Sequence, residues 1–136
     1  ESVITLQGVD YVNDSKATNI DSVKVALDSF NKSIILILGG QYKGGDFKEL
    51  LPHANNIKTV LAYGQAHQTI ETALGDAVRL YTFNSLKDAV SKSHSLASPG
   101  DIVLLSPGCA SFDQFDSFEH RGDLFKQWVF QLEEQK

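Results

Sequence analysis

The spacing of hydrophobic residues along the chain switches several times between the periods that distinguish strands from helices. Around Gly8, apolar residues from Ile4 to Tyr11 alternate with polar ones, which predicts a hairpin or a bent pair of strands. From Ile20 to Phe30 the apolar residues recur every three or four positions, which predicts an amphipathic helix. The almost unbroken apolar run SIILILGG at 33–40 predicts a strand buried on both faces of a parallel sheet.

The same alternation continues to the end of the chain. The predicted strands are TVLAYG at 59–64, AVRLY at 77–81 and DIVLLS at 101–106. The predicted helices are 66–74, Ser85–Leu96 and a last one with a core stripe of Leu124, Phe125, Trp128, Val129 and Leu132. Between strands, the turn DFKEL leads to Pro52, which is acceptable at a helix start but not in a helix interior. Strands and helices at this spacing favour an α/β domain with a mostly parallel sheet and helices on both faces.

Composition narrows the class of protein. The 136 residues, 42% hydrophobic and 21% charged, indicate one soluble globular domain, expected in the cytoplasm. The net charge of -5 and the lack of a basic stripe argue against nucleic-acid binding, and no apolar run reaches the roughly 20 residues of a membrane helix. The single cysteine, Cys109, excludes an internal disulfide. Because the sequence has no methionine, we expect a fragment of a longer protein.

Three segments that follow predicted strands are richer in small and polar residues than a turn requires. They are NDSKATN at 13–19, GGQYKGGDF at 39–47 and SPGCASFDQFDSF at 106–118. Ligands of parallel sheets bind beyond the carboxyl ends of the strands, where such segments lie. Lys16 with its hydroxyl neighbours, Lys43 among four glycines, and Ser111 are all suited to binding anions. We therefore expect the three segments to converge on one site.

Each of these features also has a structural explanation. Turn and N-cap preferences would account for Asn13, Asp14, Ser15 and Asn19. Lys43 would suit a solvated turn, Cys109 a small buried position, and the phenylalanines at 112, 115 and 118 core and hinge packing. The glycine segment is not a phosphate-binding P-loop, because Asp46 rather than Lys and Ser or Thr follows the last glycine. The four histidines lack metal-ligand spacing, so no metal site is expected.

Three motifs in one order carry a family resemblance: VNDSKATN, LILGGQYKGGDF and LSPGCASFDQFDSFEHRGDLF. Over essentially its whole length the chain resembles the C-terminal domain of the Mur ligases, and DSKATN resembles the members that add D-glutamate. The resemblance implies a Rossmann-like, three-layer α/β fold for a single domain at 1–136. It also implies that the fragment lacks the N-terminal domain and the central ATPase domain.

The function implied by the resemblance is that of a cytoplasmic ATP-dependent amide ligase of peptidoglycan synthesis, and so of cell wall biogenesis, cell shape and cell division. This ligase joins D-glutamate to UDP-MurNAc-L-alanine through an acyl phosphate. ATP and magnesium would bind mainly to the missing domains, so the fragment is expected to hold no catalytic residue and no metal ligand, and to be inactive alone. The partners implied are D-glutamate and UDP-MurNAc-L-alanine, with no nucleic acid, no membrane and a monomeric state.

The resemblance also assigns residues by position. Those implied to bind D-glutamate are Lys16, Thr18, Lys43, Ser111 and Phe118, the last through its backbone. Those implied to lie near the nucleotide are Asp14, Ser15 and Asn19. Two alternatives remain open: a stand-alone Rossmann-like binding module, and the glutamate-adding domain of a ligase similar to folylpolyglutamate synthase, against which DSKATN argues.

Overall fold

The structure is a computed structural model that describes residues 1–133 and contains one six-stranded sheet. The strands are β1 (Ser2–Leu6), β2 (Val9–Asn13), β3 (Ile34–Gly39), β4 (Ile57–Tyr63), β5 (Leu80–Phe83) and β6 (Ile102–Leu105). The α-helices are α1 (Ile20–Asp28), α2 (His67–Leu74), α3 (Leu86–Leu96) and α4 (Phe118–Glu133), and a 3₁₀ helix covers Phe47–Asn56. The order across the sheet is β1-β2-β6-β3-β4-β5, with β1 antiparallel to β2 and every other pair parallel.

Helices cover both faces of the sheet, which confirms the α/β prediction. One core layer joins α1, the 3₁₀ helix and α2 to the face that carries Leu36 of β3. The other joins α3 and α4 to the opposite face, which carries Ile37. Both side chains are fully buried, as a strand covered on both faces requires. The hairpin around Gly8 is also confirmed, and Leu6 and Tyr11 extend the α3–α4 side of the core.

The segment around Pro52 differs from the prediction. Pro52 lies inside the 3₁₀ helix Phe47–Asn56, whereas the sequence predicted a turn followed by a helix that starts at this proline. Proline lacks the N–H that either kind of helix uses, but its fixed φ of about −65° lies within the range of a 3₁₀ helix. Phe47 and Leu50 are buried three residues apart, which matches three residues per turn. This spacing is the signal that the prediction missed.

The fifth strand begins later than predicted. AVRLY at 77–81 was expected to be the strand, but β5 covers Leu80–Phe83. The backbone N–H groups of Ala77 and Val78 donate instead to the carbonyl of Leu74, at 3.0 and 3.1 Å. These two residues close the end of α2, so the strand can start only after them.

The last helix carries most of its predicted stripe. Phe125, Val129 and Leu132 are buried, while Leu124 and Trp128 are half-buried and pack against the same cluster. None of the helices within residues 1–133 is long and apolar enough to span a membrane.

Candidate functional site

The three polar segments meet at the carboxyl ends of the parallel strands, as the sequence predicted. We call this end of the sheet its carboxyl edge, and the opposite end its amino edge. We call them the lysine loop (Asp14–Asn19, after β2), the glycine loop (Gly40–Asp46, after β3) and the serine loop (Ser106–Ser117, after β6). Because β6 lies between β2 and β3, the serine loop emerges between the other two. The α1 and 3₁₀ helices leave on one face and α4 on the other, which makes this edge a topological switch point.

Backbone hydrogen bonds tie the serine loop to both neighbours. The N–H of Gly108 donates to the carbonyl of Ala17 at 2.8 Å, which joins the serine loop to the lysine loop. Gln41 and Ala110 exchange two hydrogen bonds, at 2.8 and 3.1 Å, which join the serine loop to the glycine loop. Ser111 follows directly, so its backbone is fixed between the two lysine-bearing loops. Its side chain is 2% exposed.

The lysine loop is shaped by its own polar side chains. The side chain of Asn13 accepts from the N–H of Ser15 at 3.0 Å, and Asp14 Oδ2 accepts from Ser106 Oγ at 3.1 Å. Asn19 caps α1 by accepting from the N–H of Ser22 at 2.9 Å, which confirms its predicted place at the helix start. Short-range bonds of this kind hold the loop away from helical geometry until residue 20 and leave Lys16 exposed to solvent.

Lys16 stands between two clefts. One, of about 470 Å³, lies between the lysine loop and α1 and is also lined by Asp14. The other, of about 210 Å³, lies between the lysine loop and α4 and is also lined by Ser15 and Phe118. Thr18, Asn19, Lys43 and Ser111 line neither of these two clefts. The predicted residues therefore form a neighbourhood along the sheet edge rather than the wall of one closed cavity.

The glycine loop approaches the other segments through positions that only glycine can fill. Gly40 has a φ of +120°, and a Cβ there would collide with the carbonyl oxygen of Ala110. Gly45 has a φ of +98°, and a Cβ there would lie 3.0 Å from Ile20 Cδ1 at the start of α1. Lys43 lies between these contacts and is exposed. The pairing of Gln41 with Ala110 anchors one end of this loop to the serine loop, while the side chain of Lys43 stays accessible to a ligand.

A buried arginine that the sequence analysis did not single out links the lysine loop to the serine loop. Arg121, in the first turn of α4, is 0% exposed. Its Nε and Nη2 donate to Ser15 Oγ and to the Ser15 carbonyl, at 2.8 and 2.6 Å, and its Nη1 donates to the Cys109 carbonyl at 3.0 Å. Ser15 Oγ donates onward to the carbonyl of Phe118 at 2.7 Å. One guanidinium therefore fixes both loops against α4.

A sequence signal for Arg121 did exist. It precedes Phe125 and Val129 by four and eight residues, so it continues the core stripe of α4. A charged residue in register with such a stripe must be buried together with its hydrogen-bond acceptors. Here all of those acceptors are neutral oxygens, and within residues 1–133 no carboxylate lies within ion-pairing distance of the guanidinium.

The phenylalanines of the serine loop have different environments. Phe115 is buried and packs edge-on against His120, as expected for a core residue. Phe112 is 68% exposed and Phe118 is 41% exposed, so the expectation of core packing is wrong for these two. The Ser111 carbonyl accepts from the N–H groups of Gln114 and Phe115, and this tight turn directs Phe112 outward.

Cys109 is a structural residue, as the sequence analysis favoured. Its side chain is fully buried. Burial raises the pKa of the thiol to about 12, although the nearby Arg121 charge acts in the opposite direction. The thiolate needed for nucleophilic chemistry is therefore scarce at neutral pH.

The described residues contain neither a cluster of metal ligands nor a P-loop. Within residues 1–133, no group of three His, Cys, Asp or Glu side chains is placed to hold a metal ion. The glycine loop places Asp46 where a P-loop needs Lys followed by Ser or Thr. Asp14 is half-buried and lines the larger of the two clefts beside Lys16.

Known proteins are similar to this chain in sequence or in fold. The UDP-N-acetylmuramoylalanine--D-glutamate ligase of Chlamydia caviae is 49% identical over 127 residues, which are 93% of this chain and 30% of the relative. The ligase of the same name from Myxococcus xanthus is 47% identical over 130 residues, which are 95% of this chain and 29% of the relative. The chain thus spans less than a third of the length of these relatives.

Two solved structures share the fold at low sequence identity. A murein peptide ligase from Psychrobacter arcticus superposes with a TM-score of 0.65 at 12% identity, over 96% of this chain and 28% of that chain. The MurF ligase from Thermotoga maritima, solved in complex with ADP, gives a TM-score of 0.63 at 13% identity, over 96% of this chain and 31% of that chain. Residues 1–109 match the family described as "Mur ligase, glutamate ligase domain". The match covers most of the chain, which therefore belongs to this family of Mur ligase domains.

Proposed function

We propose that this chain is the D-glutamate-binding C-terminal domain of a cytoplasmic, ATP-dependent ligase of peptidoglycan synthesis. The full enzyme would join D-glutamate to UDP-MurNAc-L-alanine, and this chain would be a single domain of it. The names of the relatives support this assignment. They favour it over a stand-alone module and over a ligase similar to folylpolyglutamate synthase.

The observation that carries the proposal is the pair of unmatched lysines at the switch point. Lys16 and Lys43 lie on the two loops that flank the serine loop, and within residues 1–133 neither forms an ion pair. D-Glutamate carries two carboxylates, each of which can accept charge-assisted hydrogen bonds from an ammonium group. Two cations at fixed loop positions suit a dianionic amino acid without requiring a basic domain.

Neutral groups at the same edge would complete the recognition of the amino acid. The hydroxyls of Thr18 and Ser111 can donate to a carboxylate or accept from the ammonium group. The N–H of Phe118 belongs to the first turn of α4, where backbone N–H groups lack intrahelical partners and favour anions. We take Lys43 as the main anchor, because the open backbone around it lets a ligand approach closely.

The contribution of this chain to the reaction would be orientation. The amine of D-glutamate has to meet the activated carboxyl carbon of the second substrate, and a fixed geometry converts that encounter into an intramolecular one. On the nucleotide side we propose Asp14 as the direct neighbour. Ser15 and Asn19 would hold Asp14 in place, since Ser15 binds Arg121 and Asn19 caps α1. Closure against the remaining domains would assemble the complete site.

The test is the D-glutamate dependence of the full-length enzyme that contains this chain. With UDP-MurNAc-L-alanine and ATP present, addition of D-glutamate should lead the enzyme to form the amide product and to release ADP. L-Glutamate, which has the same charges and the opposite hand, is the control and should not support product formation. Equal rates with L-glutamate, or product formation only with another amino acid, would overturn the assignment of D-glutamate to this site.

A further inference from the structure

Gln65 lies where the glycine loop, the serine loop and the start of α2 meet. It directly follows Gly64, at the carboxyl end of β4, and its backbone N–H donates to Asp113 Oδ2 of the serine loop at 3.2 Å. Its side-chain Oε1 accepts from the backbone N–H of Tyr42 at 2.8 Å. Tyr42 is the residue immediately before Lys43. Gln65 therefore reaches from one loop to the backbone that carries the lysine on another.

The backbone around Lys43 has few other constraints. On one side, Gln41 pairs with Ala110 of the serine loop. On the other side, the Tyr42 hydroxyl donates to the carbonyl of Gly45 at 2.6 Å and closes the loop across Lys43. Residues 41–46 are all exposed and include two glycines with positive φ, so the loop gains little rigidity from burial. Each hydrogen bond to its backbone then restricts the positions that Lys43 can take.

We propose that Gln65 is a positioning residue that sets the place of Lys43 for the carboxylate of D-glutamate. This inference rests on the proposed function. Gln65 acts through the Tyr42 N–H and does not touch the ligand. Asp113 fixes the backbone of Gln65 in turn, so the glycine loop and the serine loop are held as one unit that presents Lys43 and Ser111 together.

The inference separates two substitutions of similar size. Gln65→Met keeps the length of the side chain but removes the acceptor, so the Tyr42 N–H loses its partner. Gln65→Glu keeps an acceptor oxygen in the same place. In the full-length enzyme, Gln65→Met should raise the KM for D-glutamate by about tenfold, the effect of roughly one net hydrogen bond. Gln65→Glu retains the bond but adds a negative charge near Lys43, so its informative readout is the Tyr42 amide rather than the KM for D-glutamate.

The matched control is Gln68→Met, which makes the same chemical change at an exposed position of α2. It should leave the KM for D-glutamate unchanged. In Gln65→Met, the KM for ATP should also stay unchanged, because Asp14 lies on the lysine loop, to which Gln65 makes no hydrogen bond within residues 1–133. A purely structural effect would instead move both KM values or lower kcat alone.

A second readout tests the hydrogen bond directly. In NMR spectra of the labelled chain, the Tyr42 amide proton should shift upfield in Gln65→Met but not in Gln65→Glu, which keeps an acceptor oxygen. A Gln65→Met enzyme with an unchanged KM for D-glutamate, or one in which the Tyr42 amide proton does not move, overturns the inference alone. A wild-type enzyme that does not use D-glutamate overturns the proposed function and this inference with it.

Discussion

Lysines at the two ends of the parallel strands differ in whether they form ion pairs. At the amino edge, lysines lie beside carboxylates: Lys58 binds Asp101 at 2.7 Å and Lys32 lies 3.4 Å from Asp10. At the carboxyl edge, Lys16 and Lys43 have no carboxylate partner within residues 1–133, and Arg121 is bound only by neutral oxygens. Lys58 and Lys32 are thus paired within the fold, whereas Lys16 and Lys43 are not, although Lys126 near Lys16 pairs with Glu1 at 2.9 Å.

This difference predicts different roles for the lysines at the two edges. A matched pair such as Lys58 and Asp101 stabilises the fold and offers little to a ligand. Lys16 and Lys43 are exposed and without such a partner within residues 1–133, so they can bind an external anion even though the protein as a whole carries a net charge of -5. Substitution of Lys58 or Asp101 should therefore change stability, and substitution of Lys16 or Lys43 should change ligand affinity.

The largest effect should come from Arg121, which fixes the lysine loop and the serine loop against α4. Arg121→Met removes the buried guanidinium together with its three hydrogen bonds and leaves the acceptors on Ser15 and Cys109 without this donor. We expect the free energy of unfolding to fall by about 3 kcal/mol or more. Urea denaturation followed by circular dichroism measures this. Arg79→Met, the same change at an exposed position, should stay within about 0.5 kcal/mol of the wild type. Equal stability of the two variants would contradict a structural link through Arg121.

Lys43 should show the clearest effect on binding. In the full-length enzyme, Lys43→Ala should raise the KM for D-glutamate by about thirty- to a hundredfold, because a charge-assisted bond to a carboxylate is lost. The KM for ATP should change little, and initial rates at varied substrate concentrations separate the two constants. Lys48→Ala, an exposed lysine of the neighbouring 3₁₀ helix, is the control and should be neutral. A normal KM for D-glutamate in Lys43→Ala would remove Lys43 from the site.

At the amino edge, Asp101→Asn should sharpen the contrast. Asp101 is 7% exposed, and its Oδ2 accepts from Lys58 Nζ and from the N–H of Ser98. Loss of the charge should lower the free energy of unfolding by about 1–2 kcal/mol, as measured in urea. The KM for D-glutamate should not change, since the residue lies at the opposite edge. A change in the KM for D-glutamate without a loss of stability would contradict a purely structural role for Asp101.

The smallest of these effects should come from Ser111. Ser111→Ala removes one neutral hydroxyl, so the KM for D-glutamate should rise by about three- to tenfold, clearly less than for Lys43→Ala. Steady-state kinetics of the full-length enzyme measure the ratio. Ser91→Ala, at an exposed position on α3, is the control. An effect of Ser111→Ala larger than that of Lys43→Ala would reverse the proposed order of the two anchors.

The architecture could be predicted from the sequence because the apolar residues of the core strands and helices follow a clear pattern. The continuous apolar run of β3 and the stripe of α4 fix the sheet and its covering helices. The errors fell where local hydrogen bonds override hydrophobic pattern: Pro52 is accommodated by 3₁₀ geometry, and Ala77 and Val78 bond back to Leu74. The bonds of Ala77 and Val78 leave no mark on the spacing of apolar residues, whereas the 3₁₀ helix shows only in the three-residue spacing of Phe47 and Leu50.

The site was predictable only in part. Residue types and strand ends identified the three loops, and the parallel topology brought them together as expected. The links between the loops were not predictable, because Arg121 contacts Ser15 across 106 positions and Gln65 contacts Tyr42 across 23. The outward direction of Phe112 was missed because a tight turn, rather than hydrophobicity, decides it.

The most direct test of the central claim, that the carboxyl edge of this chain holds the amino-acid site, is an NMR titration of the ¹⁵N-labelled chain with D-glutamate. We expect saturable shifts of the amides around Lys16, Lys43 and Ser111 at millimolar ligand, with L-glutamate producing none. Amides at the amino edge, around Lys58 and Asp101, should not move. An absence of shifts at the three loops, or equal shifts with both isomers, would contradict a D-glutamate site preformed on this edge.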